Sequence, residues 1–158
     1  MIVLGVDPGA GKRTGVAVVE TAGDRLLDCR TIEAGLLDDY VKFHVRGVLD
    51  RRRHDVVAVV EAETSRRYTL RYHAWGSRIN AEVAGKCVGI LEALGYRVER
   101  IGAPAKVSSE PLLWRQYWDW KGRVSVHART AAEIARKWWM ETGRNKSRKG
   151  GGNVYRAG

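Results

Sequence analysis

Asp7 and Glu61 each close an apolar run, a position from which a carboxylate can hold a cation. Asp7 follows Ile2, Val3, Leu4 and Val6 and enters a basic turn punctuated by Pro8, Gly9 and Gly11, whereas Glu61 follows Val56-Val57-Ala58-Val59-Val60. Both runs read as strands, and the second, continuous and β-branched, suits a central strand buried on both faces. If the two are parallel neighbours, the acids stand side by side and repel unless a proton or a cation lies between them. A divalent ion answers that need, because Mg²⁺ prefers hard oxygen ligands and takes few protein donors. Glu63 points to the same face as Glu61 if the strand continues, so either is a candidate ligand. Glu61 is preferred because it directly ends the run.

Other readings of the glycine turn fail on spacing. A phosphate-cradling loop needs a Lys followed by Ser or Thr, but Arg13 follows Lys12, so the magnesium-binding hydroxyl is missing. The dinucleotide fingerprint fails because the glycine after Gly9-Ala10-Gly11 is Gly15, one place late. An ordinary hairpin with a long glycine turn is the plain alternative.

At 158 residues the chain is about one domain, large enough to bury a core without staples. Its cysteines, Cys29 and Cys87, fall in strand-like and helix-like contexts and read as reduced core residues of a cytosolic protein. Neither a leading signal sequence nor a long uncharged apolar span appears, an expectation against secretion and membrane insertion. With 28 Lys plus Arg against 18 Asp plus Glu, the formal net charge is +10, which points to a polyanion, most often nucleic acid.

The elements that must position the acids follow from periodicity. Ile2 to Val6 and Val16 to Val19 pair as a hairpin with Asp7 at its rim, and Leu26 to Ala34 makes a third strand. Asp38 to Arg53 reads as a helix, with Tyr40, Phe43, Val45, Val48 and Leu49 at helical spacing. The strand ending at Glu61 follows. Ile79 to Leu94 is the clearest helix, with Ala81, Ala84, Cys87, Val88, Leu91 and Leu94 on one face. Its Gly85 and Gly89, four apart, permit close backbone approach, either to the sheet or to a second copy. Arg97 to Gly102 is a fifth strand. A Trp-rich piece, Leu112 to Trp120, precedes a last helix from about Val126 to Glu141. Three antiparallel-capable strands followed by alternation imply an α/β fold, a mixed five-stranded sheet flanked by helices. Residues 1–142 form the domain, and 143–158, basic and without an acid, read as a flexible tail.

Nucleic-acid contact is best argued from 64–78, where Arg66, Arg67, Arg71 and Arg78 are interleaved with Tyr68, Tyr72 and Trp75 and no acid intervenes. Arginines neutralise phosphates, while aromatic rings stack on unpaired or splayed bases. Lys12, Arg13, Lys106 and Arg129 are further candidate phosphate contacts. The plain alternative is a loop whose aromatics pack on the sheet. Trp114, Trp118 and Trp120 admit three roles, as core, dimer contact or wedge between DNA arms, and Trp138 and Trp139 read as core.

These residues resemble a known family. The Asp7-Pro8-Gly9 turn with Thr14-Gly15, Glu61 closing the fourth strand, and the segment His127 to Ala135 opening the last helix resemble the RuvC family of Holliday junction resolvases, including its phage members. The resemblance runs to about Met140. It implies a ribonuclease H-like fold, a homodimer in the cytoplasm of a bacterial or phage-infected cell, and cutting of paired strands at a four-way DNA junction with Mg²⁺ or Mn²⁺. Position by position, Asp7 and Glu61 match metal-site acids and His127 matches the residue that begins the final helix.

Two departures stand out. The turn has one residue more between its Asp-Pro-Gly and Thr-Gly pairs than the family pattern. Where the family places an aspartate three residues after His127, this chain has Thr130, and a hydroxyl brings no charge to anchor a divalent ion. Thr130 is therefore an inactivating substitution, a natural variant in which His127 or Glu133 completes the site, or the mark of a binding protein that no longer cuts. In the enzyme reading, two ions roughly 4 Å apart hydrolyse the phosphodiester, one activating water and the other stabilising the leaving oxygen. Asp7 would bridge them, Glu61 would hold one, and His127 would hold the other or steer the nucleophile. The competing classes are a non-catalytic junction-binding module and an actin-like phosphotransferase. The second is disfavoured because that fold needs two domains to enclose a nucleotide.

Overall fold

The computed structural model describes residues 1–9, 13–49, 55–62, 73–102 and 111–150, of which 48–49, 73–80 and 143–150 are described by their backbone alone. Strands β1 (Ile2–Pro8), β2 (Arg13–Glu20), β3 (Arg25–Glu33), β4 (Val56–Glu61) and β5 (Arg97–Ile101) form one sheet in the order β3-β2-β1-β4-β5. The first three strands are antiparallel neighbours, while β4 runs parallel to β1 and β5 parallel to β4. The mixed five-stranded sheet expected from the residue pattern is thus present, with the ribonuclease H-like order that the family resemblance implies. Every residue of β1 is buried, as its central place requires.

Strand alternation sorts the core into two layers. Ile2, Leu4, Val6, Ala58 and Val60 face one way, against Leu37, Tyr40, Val41 and Val45 and against Ala84, Cys87, Val88 and Leu91. The first four belong to the helical run of α1 (Leu37–Tyr40), a π turn (Val41–Val45) and α2 (Arg46–Leu49); the second four belong to α3 (His73–Ala93). Val3, Ala17, Val19, Val57 and Val59 face the other way, against Trp114 and Trp118 of α4 (Pro111–Trp118) and against Ala128, Ala131, Ala132, Ile134 and Ala135 of α5 (Val126–Gly150).

Several boundaries differ from expectation. Helix α3 begins at His73, earlier than Ile79, and Ala81 is exposed while Ala84, Cys87, Val88 and Leu91 carry its buried stripe. It stops where Gly95 takes φ +83°, with Tyr96 N–H donating to Leu91 O and Gly95 N–H to Glu92 O, a left-handed glycine cap. Phe43 is 74 % exposed, because the stripe that meets the sheet is Leu37, Tyr40, Val41 and Val45. Helix α5 continues to Gly150, so residues 143–150 of the expected tail have helical backbone, and 151–158 lie outside the described residues. Trp114 and Trp118 are core, with Trp120 and Trp138 packed against them. No described helix is long and apolar enough to cross a membrane.

Candidate active site

Strand parity brings the acids together. Asp7 lies on the same face as Val3 and Gly5, and Glu61 on the same face as Val57 and Val59, so both point to the α5 layer. The β1–β4 register runs from Ile2 opposite Val56 to Val6 opposite Val60, which sets Asp7 and Glu61 at the next step. The side-by-side arrangement expected for parallel neighbours is what the sheet produces.

Helix α5 supplies the third member. Ser125 precedes it and its Oγ accepts from Ala128 N–H at 3.1 Å, satisfying a first-turn donor. Ser125 Oγ also contacts Thr31 Oγ1 on β3, which ties the cap to the sheet. The helix start is thereby held over the ends of β1 and β2, and His127 Nδ1 comes 2.9 Å from Asp7 Oδ2. Room for the imidazole comes from Gly9, where a Cβ would stand 3.0 Å from His127 Cε1 and 3.3 Å from Nε2.

Burial raises the Asp7 carboxyl above its ordinary value, opposed by the hydrogen bond and charge of His127 and by a hydrogen bond shared with Glu61. Asp7 is 8 % exposed. Two carboxylates share a hydrogen bond only when one carries a proton, so this corner is poised to take up a proton or a cation.

Among the described residues the donors fit a divalent ion in type but not in arrangement. His127 directs Nδ1 at Asp7, and Thr130 Oγ1 donates back to Val126 O at 2.9 Å. Among the described residues no group of three or more His, Cys, Asp or Glu side chains is placed to hold a metal ion. Glu133 pairs with Arg136 at 3.8 Å. Glu63 lies outside the described residues.

Of the expected nucleic-acid contacts, Arg13 is exposed at the start of β2 and Arg129 is buried in α5. Lys12, Arg66, Arg67, Tyr68, Arg71, Tyr72 and Lys106 lie outside the described residues. Trp75 and Arg78 fall on the part of α3 described by its backbone alone. Ser125 escaped sequence reasoning although a serine just before a helix is a capping signal. Arg115 and Arg123 also escaped it, because only the fold brings them to Arg129.

A mixed five-stranded sheet in the order β3-β2-β1-β4-β5, with helices on both faces, is the ribonuclease H-like fold. Among solved structures, the chain is similar to RuvC of Thermus thermophilus in complex with Holliday junction substrate, at TM-score 0.58 and 21 % identity over 90 % of this chain and 96 % of that one. A second Thermus thermophilus RuvC structure matches at TM-score 0.52 and 22 % identity, over 90 % and 97 %. The fold is therefore RuvC-like. No family model matches the sequence, and no curated protein matches it either.

Proposed function

We propose that this chain is a structure-selective endonuclease of the RuvC type that binds four-way DNA junctions, with hydrolysis lowered by Thr130. The observation that carries the reading is the Asp7–His127 contact at 2.9 Å, at the rim where Glu61 also emerges, within a RuvC-like fold. A neighbour solved with a Holliday junction and a net charge of +10 support branched DNA as the partner. A pair of active corners serving two strands accounts for the proposed homodimer. Mg²⁺ or Mn²⁺ is the proposed cofactor, on ligand chemistry alone. Among the described residues no third acid converges on Asp7 and Glu61, so cleavage is expected from a chain that carries one at position 130.

The test compares this chain with Thr130→Asp on a labelled four-way junction and a matched linear duplex, with Mg²⁺ or Mn²⁺, on a denaturing gel. Both proteins should prefer the junction, and paired nicks near the branch should come from the variant. Adding Asp7→Asn to the variant should abolish nicking and leave junction binding. Nicks from both proteins would mean that His127 or Glu133 suffices without an acid at 130. A junction bound but uncut by either would leave a non-catalytic binding protein, and no preference for the junction would overturn the reading.

A further inference from the structure

Half of the formal net charge of +10 sits in residues 143–158, which carry Arg144, Lys146, Arg148, Lys149 and Arg156 and no acid; the last acid of the chain is Glu141. All of these cations but Arg156 fall within α5, whose helical backbone continues to Gly150. The strand contacts fix where that end of the helix lies. Gly15, opposite Asp7 in the sheet, abuts His127, and Gly5 abuts Ala131 and Ala135, so α5 runs antiparallel to β1 from the acid end. From Gly5 to Ile2 is about 10 Å of strand, which a helix covers in about seven residues. Trp138 is accordingly the last described α5 side chain packed in that core layer, and residues 144–149 project beyond the sheet at the end far from Asp7.

Composition says what such a projecting end can hold. Residues 143–150 are Gly, Arg, Asn, Lys and Ser alone, without an apolar or aromatic residue. A protein partner would find no apolar anchor there, and a splayed base no ring to stack on. Taken in the order Arg144, Arg148, Lys149 and Lys146, the cations fall at about 0°, 40°, 140° and 200° round the axis, so like charges encircle the helix. Arg144 and Arg148, four apart, disfavour an isolated helix. The helix dipole offsets charge in the last turn alone, at Arg148 and Lys149. A polyanion removes the repulsion along the whole segment.

We infer that residues 144–149, the projecting end of α5, form a second DNA contact that grips the phosphate backbone of a duplex arm. Its centre lies about 30 Å along α5 from His127, the length of about nine base pairs. The contact is blind to sequence and adds affinity only for arms long enough to reach it. That the polyanion is branched DNA rests on the reading above, whereas the position and charge of the helix end do not.

In the full chain, Arg144→Gln, Lys146→Gln, Arg148→Gln and Lys149→Gln are combined, which keeps helix propensity and removes the charge. A control combines Lys42→Gln, Arg46→Gln, Lys86→Gln and Arg97→Gln, an equal charge loss spread over the opposite helical layer and β5. Binding is measured over a salt series to junctions with arms of about 7 and about 20 base pairs, below and above the reach of the contact. A linear duplex as long as two joined long arms is included, and melting temperatures check folding. The parent should bind the long-armed junction about tenfold tighter than the short-armed one, and the helix-end variant should lose most of that gain. Its log–log salt slope on long arms should flatten by about two to three, with short-arm binding within about twofold of the parent. The control should weaken both junctions by the same factor.

A helix-end variant that keeps the long-arm gain overturns the inference. One that loses affinity equally on both arm lengths also overturns it, because the effect is then bulk charge. Neither result touches the preference for a junction over the linear duplex, which tests the branched-DNA reading. If the parent shows no such preference yet the variant loses affinity for the long duplex, that reading falls and the helix end stands as a contact for plain duplex. A parent that binds no DNA overturns both.

Discussion

Helix α5 lies on bare strand backbone, whereas α3 meets the opposite face of the sheet through side chains. A Cβ built on Gly5 would overlap the Ala131 carbonyl and stand 3.1 Å from Ala135 Cβ, and one on Gly15 would overlap the His127 carbonyl and stand 2.8 Å from the Ala128 nitrogen. On the other layer, a Cβ on Gly85 or Gly89 of α3 meets nothing within 4 Å, and Gly89, Cys87 and Ile90 help line an open apolar groove of about 630 Å³. The expectation that Gly85 and Gly89 allow close packing on the sheet is therefore not met, and the close approach belongs to strand glycines. A helix that must present His127 to a strand carboxylate needs that intimate seat, because a displacement of even one ångström would separate them. The α3 layer carries no such demand.

The same substitution should have opposite signs on the two layers. Gly15→Ala forces the α5 start off β2 and should cost about 3 kcal/mol or more, read as a lower denaturant midpoint. In the Thr130→Asp background it should also reduce cleavage. Unchanged stability would show that α5 is not seated on bare backbone. Gly89→Ala should instead stabilise by about 0.5–1 kcal/mol, since alanine limits the unfolded chain and favours the helix. A loss there would show that another surface covers the groove in solution.

The smallest effect concerns one cysteine from each layer. Burial first, with Asp28 adding to it, pushes the Cys29 thiol up to about 12, and burial pushes Cys87 up to about 11. Cys29 Sγ reaches Ala128 O at 3.2 Å beneath α5, whereas Cys87 borders the open groove. Because the unfolded thiols ionise from about pH 9, protons leave the unfolded chain first as pH rises past that value. Folded stability should thus fall modestly between about pH 9 and pH 11 in thermal melts, and serine at both positions should remove that part of the fall. Below pH 9 both thiols should resist a disulfide reagent, with Cys87 reacting before Cys29. The reverse order would contradict the packed-versus-open distinction.

Much of the placement of the candidate site was legible because strands write their own geometry. An apolar run ending in an acid announced both Asp7 and Glu61, and the parity of Val3, Gly5 and Asp7 follows from a period of two. The reach of His127 was legible only through the resemblance, since a lone histidine near a helix start carries no direction of its own. Helix limits were less legible: α3 starts early and α5 runs late, because packing and capping override propensity at element ends. Phe43 illustrates the same limit, since its apolar character does not say which face of a short helix meets the sheet.

By itself the sequence determined the strand order of acids and apolar runs, the excess of positive charge, and the absence of a carboxylate at position 130, for these are local matters of residue type and spacing. Tertiary structure alone decided that His127 closes on Asp7, that Gly5 and Gly15 serve as the seat of α5, and that Arg115, Arg123 and Arg129 converge around Trp114. Each of those contacts joins residues on different elements, and their separation in space depends on how helices dock on the sheet. No pattern along one segment encodes that distance.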